Sequence, residues 1–223
     1  MKIKEIKLYT SKIKAQAEFY SQVLGLPIIK QSDRQVSFQI GNSMLYFEYL
    51  KTATPYHFAI NIPANKEDEA LKWLKSRLAI LKDGQDEIIN FTAWNAKAIY
   101  FYDEDKNIVE LIARKNLKNA TDHSFGSEQF LEISEIGVAT TNIESEFNTL
   151  RSFMDIPIFD GGFGNFCAVG DESGLFILIN RENKDWYPTL DKAFPSAFEL
   201  KLSQQEKIYE IEFKSGKIEI LST

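Results

Sequence analysis

Apolar positions at the start of the chain change period twice. Residues 2–9 alternate apolar and polar, as a strand does. From there Ile13, Ala17, Tyr20 and Leu24 fall on one stripe of a 3.6-residue helix, Gly25 supplies a stop, and Pro27-Ile28-Ile29 is extended again. The same switch recurs without a gap further on. EIKLYTSKIKAQAEFYSQVLGLPII at Glu5–Ile29 is echoed by EIGVATTNIESEFNTLRSFMDIPIF at Glu135–Phe159, with Ile143, Phe147, Leu150 and Met154 in the stripe positions. Each copy predicts strand, amphipathic helix, strand.

Between and beyond the copies the pattern fills in whole units. After the first helix, alternating runs at Val36–Ile40 and Met44–Leu50 flank Gly41-Asn42, a hairpin turn pair, so the first unit reads βαβββ with Ile28–Lys30 as its second strand. The grammar restarts after Pro55 with a strand at Tyr56–Ile62. A helix over Lys66–Leu78 capped by Asn65 follows, then strands near Ile88–Thr92, Ala98–Tyr102 and Ile108–Ala113. A third unit occupies 131–180, and a shortened fourth occupies 195–222, where Ser203–Lys207 leaves little room for a helix. The expected fold is α+β, with tandem βαβββ units forming two curved mixed-sheet lobes, the second abbreviated. The polar stretch after Arg114 sets the boundaries at 1–115, a linker at 116–129, and 130–223.

Period-two alternation also assigns faces. With Ile6 and Leu8 under the helix, Glu5, Lys7 and Tyr9 turn to the opposite face. The same parity exposes Glu48, His57 and Glu110 on the other strands. Four strands thus each place one metal-ligating residue type on the helix-free face. Composition narrows the partners: 26 Lys and Arg against 32 Asp and Glu give a formal charge of −6, with no basic stripe, which excludes a nucleic-acid partner. The charged start MKIKEIKLYT is unlike a secretory leader and no apolar run reaches membrane-spanning length, so the expectation is a cytoplasmic protein. Cys167 cannot form an internal disulfide and reads as a core residue, and His123 reads as an exposed linker residue.

FYSQVLGLPI at 19–28, HFAINI at 57–62 and FYDEDKNIVEL at 101–111 resemble, in order and spacing, recurring segments of the vicinal oxygen chelate superfamily: glyoxalase I, methylmalonyl-CoA epimerase, extradiol dioxygenases and bleomycin-resistance proteins. The likeness covers most of residues 3–113. It implies paired βαβββ units cupping a divalent metal that chelates two neighbouring substrate oxygens, with Glu5, Glu48, His57 and Glu110 as ligands. It also implies Glu110 or Glu5 as base, and Tyr9, Tyr46 and Trp94 shaping the pocket. One imidazole among three carboxylates favours a hard metal without distinguishing Mn, Mg, Fe, Ni or Zn, and disfavours ring cleavage, which needs a second histidine. The implied function is isomerase or lyase chemistry through a metal-stabilised enolate on a small oxygenated substrate. The alternative is a metal-free small-molecule binding or sequestering protein, and a homodimer is allowed for. The second half reads as a copy that has lost the site, because Ala197 stands where His57 would recur. There Glu135 and Glu219 are expected to lie outside the metal centre, and Trp186-Tyr187 could cover a cavity.

Overall fold

Residues 1–222 are described in a computed structural model. The first unit contains β1 (Lys2–Thr10), α1 (Ile13–Glu18), β2 (Ile28–Gln31), β3 (Gln35–Ile40) and β4 (Ser43–Tyr49). The second contains β5 (His57–Ile62), α2 (Glu67–Lys75), β6 (Ile80–Leu81), β7 (Ile89–Phe91), β8 (Ala96–Tyr102) and β9 (Ile108–Arg114). The third contains β10 (Glu132–Thr140), α3 (Ile143–Phe153), β11 (Ile158–Gly162), β12 (Phe166–Asp171) and β13 (Gly174–Asn180). The last is three strands, β14 (Phe198–Gln204), β15 (Lys207–Lys214) and β16 (Lys217–Ser222), and has no helix of its own. Instead α3 packs against β16, where the amide of Ile218 donates to Glu146 Oε2 at 2.7 Å.

The two copies fold alike. In the first, β1 pairs parallel with β4 and the order continues β3, β2; in the second, β10 pairs parallel with β13 and continues β12, β11. The parity read from the sequence holds, since Ile6, Leu8, Ile136 and Val138 are fully buried in one hydrophobic core shared by all four units. Cys167 is buried there too.

Two local expectations need correction. The first helix is α-helical only to Glu18 and then widens into a π turn over Phe19–Val23, closing at Gly25 with φ +68°. Asn65 does not cap α2, which starts at Glu67 and ends at Lys75. Its amide is committed to the linker instead, giving Nδ2 to the Thr121 carbonyl and taking the Thr121 amide, both at 3.0 Å. The capping carboxamide among the helices is Asn142, whose Oδ1 accepts from the Ser145 amide at 3.0 Å.

The larger correction concerns pairing. The two sheets do not follow the 1–115 and 130–223 halves. A seven-stranded sheet runs β16-β15-β14-β1-β4-β3-β2, joining the first unit to the last. A nine-stranded sheet runs β11-β12-β13-β10-β5-β9-β8-β6, with β7 also on β8, joining the second unit to the third. The first strand of each unit is the joint: β1 pairs antiparallel with β14, and β5 antiparallel with β10. The linker is pinned down to make this exchange, and the residues just after it cross the β3–β4 hairpin so closely that only glycine fits. Gly41 has φ +50°, and a Cβ there would lie 1.8 Å from the Leu131 carbonyl oxygen, which accepts from the Asn42 amide at 2.7 Å. Ser43 completes the junction by donating to the Ile3 carbonyl at 2.7 Å while accepting from the Ile133 amide at 3.0 Å.

Gly41→Ala should therefore cost roughly 2–4 kcal/mol, lowering Tm by about 5–12 °C in a chain of this size. Gly84→Ala is the control, with a similar φ of +59° but no atom within 4 Å, and should cost no more than about 1–2 kcal/mol. Equal losses in the two variants, measured by thermal denaturation, would contradict the close-approach explanation.

Candidate metal centre

On the helix-free face of the nine-stranded sheet, strand register fixes three ionisable side chains. Ala59 of β5 lies opposite Glu110 of β9 on one side and Glu135 of β10 on the other, with His57 two residues earlier on the same face. The small methyl of Ala59 leaves both carboxylates free to lean inward. His57 Nε2 is 3.6 Å from Glu110 Oε2 and 3.9 Å from Glu135 Oε2, and one donor atom from each residue lies within 4.8 Å of the others. All three residues are buried.

Hydrogen bonds around the trio orient it. His57 Nδ1 lies 3.1 Å from the Ile108 carbonyl, so it carries the proton and Nε2 turns its lone pair toward the carboxylates. Glu135 is held by Arg114 at the end of β9, whose Nη2 donates to Oε1 and whose Nε donates to Asn61 Oδ1 at 3.2 Å. Asn61 in turn donates to Glu132 Oε1 and to the Glu172 carbonyl, each at 3.0 Å. Glu110 has no such cation; its register partner is Tyr100 on β8.

Burial dominates the protonation equilibria. It pushes the His57 imidazolium down to about 4, against the pull of the Ile108 carbonyl, so the ring is neutral above that pH. Burial drives Glu110 well above the usual carboxylate range, and the charge of Glu135 adds to the effect. Glu135 is also raised by burial, though the Arg114 guanidinium opposes the rise. Tyr100 is raised by burial and then by Glu110.

This donor set fits a divalent ion. Once ionised, the two carboxylates and a neutral imidazole present two negative charges, whereas the adjoining cation, Arg114, neutralises only one. Donors bonded to one ion at roughly 2.1 Å lie about 3–4 Å apart, so shifts of a few tenths of an ångström would suffice. An oxygen-rich set of this kind suits a hard or borderline ion.

The donors sit at the floor of a cavity of about 490 Å³. Its roof comes from the segment between β13 and β14. Trp186 is buried with its ring 5.2 Å from the imidazole, and it fits because position 137 is glycine: a Cβ there would meet the indole at 2.6 Å. Trp94 lines one wall.

The remaining expected residues lie elsewhere. Glu5, Glu48, Tyr9 and Tyr46 occupy the helix-free face of the seven-stranded sheet, because β1 pairs with β14 and not with β5. There Glu5 faces Lys201 at 3.8 Å and Glu48 faces Lys7 at 3.6 Å, on half-exposed side chains, while Tyr9 donates to Glu199 at 2.9 Å. These are solvated ion pairs, so Glu5 is neither a ligand nor a base in this structure. Glu135, placed outside the site by the sequence reading, takes the position assigned to Glu5. Its repeat relation to Glu5 carried that information, and only the pairing of units was misassigned. Glu219 pairs in register with Glu212 on the other sheet.

Paired βαβββ units with an inward-facing His and Glu cluster define the class of fold: it is the fold seen in the vicinal oxygen chelate superfamily. The metallothiol transferase FosB of Staphylococcus haemolyticus is 28% identical to it over 116 residues, spanning 49% of this chain and 81% of that protein. A "putative dioxygenase" from Bacillus subtilis superposes with a TM-score of 0.59 at 16% identity, covering 80% of this chain and 63% of its own, and it shares the fold. A lactoylglutathione lyase from Agrobacterium tumefaciens aligns over 49% of this chain at 20% identity, with a TM-score of 0.43, too loosely to bear on the site. No family model matches the chain. Among the described residues no helix is long and apolar enough to cross a membrane.

Because burying an ionised Glu110 opposes folding, Glu110→Gln should stabilise the metal-free protein at pH 7.5 by about 1–3 kcal/mol. The sign follows from the raised value: stability tied to the protonated carboxyl is fully present below the unfolded value of about 4.5 and is lost as pH rises. The advantage of the variant should thus vanish near pH 4.5. A variant less stable than the parent at pH 7.5 would contradict the burial argument.

Proposed function

We propose that the chain is a glyoxalase-like, metal-dependent enzyme performing isomerase or lyase chemistry on a small oxygenated substrate, with His57, Glu110 and Glu135 as ligands. The observation that carries this reading is the buried donor trio opening onto a cavity, with Glu110 in no ion pair with a lysine or arginine among the described residues. FosB supports it as a relative whose name records metal and thiol chemistry.

The roles follow from the surroundings. His57 is a neutral donor aimed by the Ile108 carbonyl. Glu135 is fixed because Arg114 grips its other oxygen, and the guanidinium favours its anionic form against the effect of burial. Glu110 is the group that can hold or release a proton at Oε2, since burial and the charge of Glu135 make it hold its proton more tightly than an ordinary carboxyl. A bound divalent ion supplies Lewis acidity, lowering the cost of negative charge on a substrate oxygen. Trp186 excludes water from one side of the imidazole.

Calorimetric titration of metal-stripped protein with Mn²⁺ tests the assignment. One ion per chain is expected, with affinity reduced at least 10- to 100-fold in His57→Ala, Glu110→Gln and Glu135→Gln. Glu5→Gln and Glu48→Gln should bind as the parent does. Parental affinity in Glu135→Gln would remove it from the site, and a parent protein that takes up no Mn²⁺ would favour the metal-free binding protein.

A further inference from the structure

His57 stands at the first position of its strand, where a ladder holds a residue least. The register of β5 with β9 begins at the His57–Ile108 pair, and its register with β10 ends one residue further in, at Phe58. Strand ends open before strand centres do, so a side chain fixed at this place needs support from outside the sheet. The β8–β9 hairpin supplies it. β9 does not extend back beyond Ile108, and the Asn107 side chain provides the next rung in its place. Its Oδ1 accepts from the Tyr56 amide at 2.8 Å, while the Ile108 amide donates to the Tyr56 carbonyl at 2.8 Å. The residue before His57 is thus held at both its N–H and its C=O, which satisfies a buried stretch of backbone. The carbonyl that aims the imidazole belongs to Ile108, the residue after Asn107.

Asn107 is itself held by a buried carboxylate. Asp103 Oδ2 accepts from Asn107 Nδ2 at 2.7 Å, from the Tyr20 hydroxyl at 3.0 Å and from Gln16 Nε2 at 3.1 Å. Its Oδ1 accepts from the amides of Asp105 and Asn107, each at 3.0 Å. Asp103 accepts and the Tyr56 amide donates, so only one orientation of the Asn107 carboxamide satisfies both. Gln16 lies on α1 and Tyr20 in the π turn that follows, in a unit whose strands belong to the other sheet. Asp103, Asn107, Gln16 and Tyr20 are all buried. A continuous polar line therefore runs from the first helix to the start of β5.

We propose that Asn107 is a positioning residue for His57, kept in its one working orientation by Asp103 and, through Asp103, by Tyr20 and Gln16 of the first unit. Without it the start of β5 loosens, the imidazole leaves the Ile108 carbonyl, and both ring tautomers become populated. Its part in ion binding rests on the metal reading above, whereas its part in fixing the imidazole does not.

Imidazole nitrogen NMR of the metal-free full chain at pH 7.5 reads the effect directly. The chain has two histidines, and His123→Ala identifies the signals of His57. The parent should show one His57 tautomer, with the proton on Nδ1. Asn107→Ala should show both tautomers and bind Mn²⁺ about ten-fold more weakly by calorimetry. Leu150→Ala is the control for lost stability: it truncates a fully buried side chain on α3, away from the hairpin. It should lower Tm and leave both readouts unchanged. Tyr20→Phe removes a single donor from Asp103 and serves if Asn107→Ala does not fold; it should give the same mixing to a smaller degree. A single Nδ1–H tautomer in both Asn107→Ala and Tyr20→Phe, or equal mixing in Leu150→Ala, overturns the positioning role. Mixed tautomers with parental Mn²⁺ affinity in Asn107→Ala overturn its part in ion binding. A parent that takes up no Mn²⁺ overturns the metal reading, and the tautomers then decide the positioning role on their own.

Discussion

A buried ion pair between Arg114 and Glu135 joins the second and third units, and the site depends on it. The two residues belong to β9 and β10, the strands flanking β5, so the pair spans the central strand of the nine-stranded sheet. Arg114 is completely buried and also holds Asn61, which ties in Glu132 and the Glu172 carbonyl. Removing one partner of such a pair typically costs about 3–5 kcal/mol, because the other charge is left buried without compensation. The same contact occupies one oxygen of Glu135 and leaves Oε2 toward His57. One interaction therefore fixes both the junction and a ligand.

The exchange of units gives the two sheets different fates. Where the second and third units meet, His57, Glu110 and Glu135 gather with Ala59 between the carboxylates and Gly137 admitting Trp186. Where the first and last units meet, the equivalent face carries Lys7, Lys201, Glu5, Glu48 and Glu199 in solvated pairs, each worth at most about 1 kcal/mol. That face has the right parity and the wrong partners: lysines stand where a cavity floor would need bare donors. Its sheet instead supplies β16 as a cover for α3.

Much of this was legible in the chain. The repeat of Glu5–Ile29 at Glu135–Phe159 predicted two units with the same strand order, and alternation correctly turned His57 and Glu110 to one face. Pairing of units was not legible, because an antiparallel joint between first strands is chosen by contacts distant in sequence. These include Arg114 with Glu135 and the Gly41 approach to Leu131. Assigning neighbours in sequence as neighbours in space therefore exchanged Glu135 for Glu5. Gly137 likewise carried no signal until Trp186 lay against it.

The central claim is that one metal site forms at the junction of the second and third units. Anomalous diffraction from a Mn²⁺-soaked crystal tests it most directly. The account predicts a single anomalous peak within bonding distance of His57 Nε2 and of both Glu110 and Glu135. A peak beside Glu5 or Glu48, or a fully soaked crystal with no peak at His57, would contradict it.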